Sequence, residues 1–159
     1  VFGKGDKNSK IFIIGEAPGK DEDLNGEPFI GRAGKLLTEI LLSIQLQRSD
    51  VYITNTIKCR PPENRNPNSN EISSCSHFLD KEIDLISPKV IILLGKVAAE
   101  TILNTSKSMA ELRGKVHYYK NTKIPILVFY HPAYLLRSPY KKRKVWDDIL
   151  FMKREVNVS

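Results

Sequence analysis

Four short runs, apolar and rich in β-branched residues, recur along the chain: Ile11–Gly15, Val51–Ile57, Val90–Gly95 and Ile126–Tyr130. Runs of that length without strict alternation predict strands buried on both faces, as in a parallel sheet. The segments between them change period. Residues 33–45 carry Leu36, Leu37, Ile40, Leu41 and Ile44 on one helical stripe. Residues 69–86 place Ile72, Phe78, Leu79, Ile83 and Ile86 in the same manner. A shorter helix is predicted over 96–103, and a last one over 140–156 with Val145, Trp146, Ile149, Leu150 and Met152. Strands alternating with helices require crossover connections. The expected fold is therefore α/β: a three-layer α/β/α sandwich on a central four-stranded parallel sheet, one domain over residues 1–159, with no internal repeat.

Such sheets bind ligands beyond the carboxyl ends of their strands. The informative residues should then follow Ile14, Thr54, Leu94 and Phe129. After the first strand comes Gly15-Glu16-Ala17-Pro18-Gly19, followed by Lys20-Asp21-Glu22-Asp23. This tight turn brings backbone amides close to a ligand, but it is neither GxGxxG nor GxxxxGK[ST], so nothing points to NAD or a nucleoside triphosphate. Glu27 to Gly34 sets Phe29 beside a turn at a helix start, where an aromatic is either core or a platform for a base. Asn55 ends the second strand; its carboxamide has the donor and acceptor that complement a uracil edge, although a lone Asn there is commonly a cap. Lys58 to Pro67 holds three prolines and three basic residues, which rules out a helix and leaves an ordered loop containing Asn64. The third strand is followed by Gly95-Lys96. The fourth runs into His131, placed to donate to a substrate oxygen. Tyr134-Leu135-Leu136-Arg137 then combines an apolar wedge with a cation, and Lys141-Lys142-Arg143-Lys144 lies just beyond.

Charge adds one constraint. Lys and Arg number 25 against 18 Asp and Glu, a net +7. This balance suits a polyanion, because basic side chains displace counterions from phosphates; a solvated basic surface would look the same. No run approaches the ~18 apolar residues of a membrane span, and no signal-peptide layout opens the chain, so a cytoplasmic protein is expected. Two cysteines, Cys59 and Cys75, cannot form a disulfide scaffold, nor a four-cysteine site alone.

Together these pieces resemble the family 4 uracil-DNA glycosylases, the thermostable-type enzymes with a [4Fe-4S] cluster. The matching blocks are GEAPGKDED, GEPFIGRAGKLL, VYITNTIKCRPPENRNP with Cys75, VIILLGKVAAE and HPAYLLR, in order over nearly the whole chain. The resemblance implies an enzyme that flips uracil out of single- or double-stranded DNA and hydrolyses its bond to the sugar, acting as a monomer. It implies Glu16 and His131 in catalysis, with Ala17, Glu22, Phe29, Asn55 and Asn64 joining His131 around uracil. It also implies Tyr134, Leu135, Leu136 and Arg137 at the gap in the duplex, and Cys59 and Cys75 as ligands of the cluster. The family's other two cysteines form a pair ahead of the first strand. Either they precede Val1 or the cluster is incomplete; Cys59 and Cys75 standing in register favours the first. Competing readings are a covalently trapping relative, whose extra histidine-bearing loop is absent from Asn64 to Asn70, and a noncatalytic nucleic-acid binder.

Overall fold

The computed structural model describes residues 1–156. In chain order its elements are β1 (Lys4–Gly5), β2 (Ile11–Gly15), α1 (Lys20–Asn25), α2 (Arg32–Ser43), β3 (Tyr52–Asn55), α3 (Ser69–Ile86), β4 (Val90–Leu94), α4 (Lys96–Leu103), α5 (Met109–Leu112), β5 (His117–Tyr118), β6 (Pro125–Phe129), α6 (Pro132–Arg137) and α7 (Lys142–Glu155). Short 3-10 turns occupy Arg48–Asp50, Pro62–Asn64 and Pro139–Lys141.

The sheet order is β1-β3-β2-β4-β6-β5. Its four central strands are parallel, and these are the four apolar runs. The edge strands β1 and β5 pair antiparallel and make the sheet a mixed one of six strands. Each edge strand has only two residues, too few to show a period. Every position of β2 and β4 is buried, as helices on both faces require.

Alternate strand residues feed two separate cores. Ile13, Ile53, Ile92, Leu94 and Leu127 pack with Leu37 and Leu41 of α2, Leu135 of α6, and Val145 and Ile149 of α7. Phe12, Ile14, Ile91, Leu93 and Val128 pack on the opposite face with Leu79 and Ile83 of α3 and with Ala98 and Ala99 of α4. Each buried Leu or Ile contributes about 1.5–3 kcal/mol to holding these layers on the sheet. Helix α3 begins with a reciprocal cap: Asn68 accepts from the Glu71 amide, and Glu71 accepts from the Asn68 amide. Among the described residues, no helix is long and apolar enough to cross a membrane.

Register decides what the carboxyl edge presents. Gly15 lies opposite Asn55, Ile14 opposite Leu93, and Leu94 opposite Phe129. The turns after β2, β3, β4 and β6 therefore emerge side by side.

Candidate active site

Between the β2 turn and α6 lies a cavity of about 180 Å³, whose walls include Ala17, Glu22, Phe29, Asn55 and His131. It adjoins a larger groove of about 690 Å³ that carries Glu16, Asn64, Lys96, Tyr134 and Arg137; Ala17 and His131 line both. The structure thus gathers five of the expected residues around one small space. Glu16, Asn64, Tyr134 and Arg137 sit in the adjoining groove.

Asn55 is only 2% exposed. Its Oδ1 is buried with no hydrogen-bond partner, the only such side-chain atom among the described residues. An unpaired buried acceptor costs about 1–3 kcal/mol. Its neighbour Lys58 is in the opposite condition. The buried Lys58 Nζ donates to Thr54 Oγ1 at 2.6 Å and to the Asn55 carbonyl at 2.9 Å, and it is ion-paired with Glu82. Glu82 also accepts from Tyr52 Oη and from the Gly3 amide. The backbone of Asn55 is therefore tied down while its carboxamide oxygen is left open.

Phe29 closes the opposite wall with φ of +54°, a left-handed conformation that costs a non-glycine residue about 1–2 kcal/mol. Its ring centroid lies 5.5 Å from that of His131. A Cβ on Gly15 would come within 2.4 Å of the Phe29 ring and 2.6 Å of Asn55 Oδ1. Only glycine lets the strand end pass beneath both groups. Glu22 fastens the turns around them: its carboxylate accepts from the amides of Gly19, Ile30 and Gly31 at 2.7–2.9 Å.

His131 caps α6, its Nδ1 accepting from the Ala133 amide at 3.0 Å. With Nδ1 used as an acceptor, the proton of the neutral ring resides on Nε2. Burial, seconded by Arg137, pushes the imidazole down to about 4. The ring is a neutral donor at ordinary pH. Burial also raises the Glu16 carboxyl above its usual range, opposed by Arg137.

In the groove Asn64 is exposed and accepts from Arg60 Nε at 2.7 Å. Tyr134 stacks on Tyr130 with ring centroids 4.9 Å apart. Arg113 covers Tyr130 from 4.6 Å and is itself held by both oxygens of Asp148. Arg137 is exposed at the end of α6. Leu135 corrects the sequence reading. It has no exposed surface and belongs to the core packed on the sheet, so it cannot enter a duplex. Leu136 is half-buried and packs against the margin of the same core.

Cys59 is exposed and Cys75 half-buried, and the Lys58 amide donates to Cys75 Sγ at 3.5 Å. Among the described residues, no three His, Cys, Asp or Glu side chains gather where they could hold a metal. The two cysteines would supply two of the four thiolates that a [4Fe-4S] cluster takes. No sequence motif marks Arg113, the Lys58–Glu82 pair, or Arg48, whose guanidinium reaches the backbone of Pro28 and Phe29. Each has its partners far along the chain, which leaves no short motif.

The sequence pattern of the Uracil DNA glycosylase superfamily matches residues 2–150, and the chain belongs to that superfamily. Within it, relatives named as type-4 enzymes share 37–44% identity with the chain and relatives named as type-5 enzymes 30–31%. A protein named type-4 uracil-DNA glycosylase from Archaeoglobus fulgidus is 44% identical over 93% of this chain and 77% of its own length. Proteins of the same name are 43% identical in Thermotoga maritima (98% of this chain, 84% of the relative) and 42% identical in Sulfurisphaera tokodaii (100% and 75%).

Proposed function

We propose that the cavity receives one uracil turned out of DNA and that the chain hydrolyses its N-glycosidic bond, leaving an abasic site. The observation that carries this is Asn55 Oδ1, a buried acceptor without a partner on the wall of a base-sized cavity. Uracil offers N3–H to such an acceptor, whereas cytosine offers a lone pair at the same position and is repelled. The Phe29 ring supplies a stacking face, a contact worth about 1–3 kcal/mol per base.

The bond between N1 and the sugar breaks with positive charge growing on the sugar and negative charge on the departing base. A preorganised donor helps most where that negative charge develops. His131 meets the requirement as a neutral imidazole with its proton on Nε2, directed at the uracil O2. A water then adds to the sugar carbon, and the proton it loses ends on the departing uracil anion. Glu16, at the junction of groove and cavity with Ala17, shapes that space and orients the water. Arg137 and Lys96 line the groove with positive charge for the DNA backbone, and Tyr134 and Leu136 border the place vacated by the base. Asn64, expected beside uracil, lies in the groove next to the cavity, where it accepts from Arg60.

Cys59 and Cys75 are proposed as two ligands of a [4Fe-4S] cluster that would pin the loop from Lys58 to Asn68. A complete cluster requires two further thiolates, because the sequence contains two cysteines in all. The residues read as one glycosylase domain that works as an intracellular monomer on single- or double-stranded DNA. The net positive charge supports DNA as the substrate.

The test is cleavage of matched oligonucleotides with and without a single uracil, followed by hot alkali. Strand breaks confined to the uracil strand are expected. A heat-stable protein–DNA adduct, or no breaks at all, would overturn the reading.

A further inference from the structure

Phe29 needs an explanation that its ring does not provide. It adopts a left-handed backbone in the middle of a turn, and no glycine or asparagine stands there to favour it. Such conformations persist only where the surroundings over-determine them. Glu22 holds the amides of Ile30 and Gly31 that follow Phe29, and a single side chain holds the Phe29 carbonyl and the one before. Arg48, on the 3-10 turn just before β3, donates through Nη1 to the Phe29 carbonyl and through Nη2 to the Pro28 carbonyl, both at 2.7 Å. Nη1 also lies 3.4 Å from Thr38 Oγ1 on α2. Behind the same peptide, a Cβ on Gly34 would fall 1.8 Å from the Phe29 oxygen, so α2 closes directly over it. The planar fork of a guanidinium matches two adjacent carbonyls in a way that an ammonium cannot.

We propose that Arg48 is a positioning residue for base recognition: by gripping two consecutive carbonyls it holds Phe29 left-handed, and thereby sets the ring against the cavity opposite Asn55. It touches neither the base nor the reacting bond. The assignment rests on the uracil reading for its kinetic consequence but not for its structural one.

Two readouts test it. In Arg48→Ala, the Phe29 backbone is expected to leave the left-handed region in a crystal structure, with the ring displaced from the cavity. In kinetics on a uracil-containing oligonucleotide, kcat should fall about 100-fold, as for a misplaced reacting group, while KM for DNA stays close to the parental value. Inhibition by free uracil should weaken alongside kcat. Millimolar guanidinium should restore part of the rate by refilling the space between the two carbonyls, which a merely loosened fold would not permit. Arg48→Lys, retaining charge but reaching one carbonyl, should fall between, and it decides by the same readouts should Arg48→Ala fail to fold. Phe29 unmoved with kcat at the parental value would overturn the assignment. Absence of cleavage by the parent would sink the uracil reading instead, and the Phe29 conformation in the variant would still decide the role of Arg48.

Discussion

The cavity and the groove share Ala17 and His131 yet are built in opposite ways. In the cavity nearly everything is fastened: Glu22 ties three amides, Arg48 two carbonyls, and Lys58 the backbone of Asn55. One atom, Asn55 Oδ1, is left without a partner. In the groove Lys96 has only an exposed ion pair with Glu100 at 3.7 Å, and Arg137 reaches solvent from the last turn of α6. Reading a base demands donors and acceptors fixed before it arrives, because a flexible carboxamide could turn to suit cytosine as readily as uracil. Holding a phosphate backbone demands only positive charge at roughly the right distance.

The difference predicts that variants on the two sides will fail differently. His131→Ala, on the shared wall, should show the largest loss, about 10²–10³ in kcat, the usual consequence of deleting one preorganised donor. Its affinity for DNA should be nearly unchanged, and single-turnover cleavage with a parallel binding assay separates the two. The acid dependence sharpens this. Because burial holds His131 at about 4 rather than 6.5, the ring stays neutral as the pH falls through 6.5. The folded state takes up that proton only near 4, while the unfolded chain takes it up near 6.5. The site thus disfavours folding as the pH drops from 6.5 towards 4, and kcat should show no His131-dependent break at 6.5. A rate that falls as the pH rises through 6.5, and no longer does so in His131→Ala, would mean that the imidazolium, not the imidazole, is needed.

Arg137→Ala, in the groove, should have the smaller effect. Binding should weaken alike for DNA with and without uracil, and the salt dependence of log K should flatten by about 1. Loss of discrimination between the two DNAs would place Arg137 inside recognition and erase the distinction between the regions. The same substitution should lift both Glu16 and His131, since Arg137 depresses each.

What the sequence disclosed follows the same division. The four parallel strands and helices α2 and α3 were legible because buried elements impose a period on their residues. The edge strands β1 and β5 were not, being two residues long and supported by pairing alone. Helix α1 was hidden for a related reason: none of its residues is buried, so no apolar stripe marks it. In α6 the sequence showed two adjacent leucines and a cation, but not which leucine turns inward. The structure buries Leu135 completely and leaves Leu136 at the margin. Asn55 and His131 stood out as polar residues ending apolar strands. Arg48 was silent because a side chain that grips backbone needs no partner of a given type in the sequence, and Lys58 because its ion-pair partner Glu82 lies on α3, far along the chain.

A structure of the protein soaked with free uracil puts the matter most directly. The ring should lie flat against Phe29, its N3–H within hydrogen-bond distance of Asn55 Oδ1 and its O2 facing His131 Nε2. Uracil bound elsewhere, or an Asn55 oxygen still solitary with the ligand present, would contradict the claim that this one open acceptor selects the base.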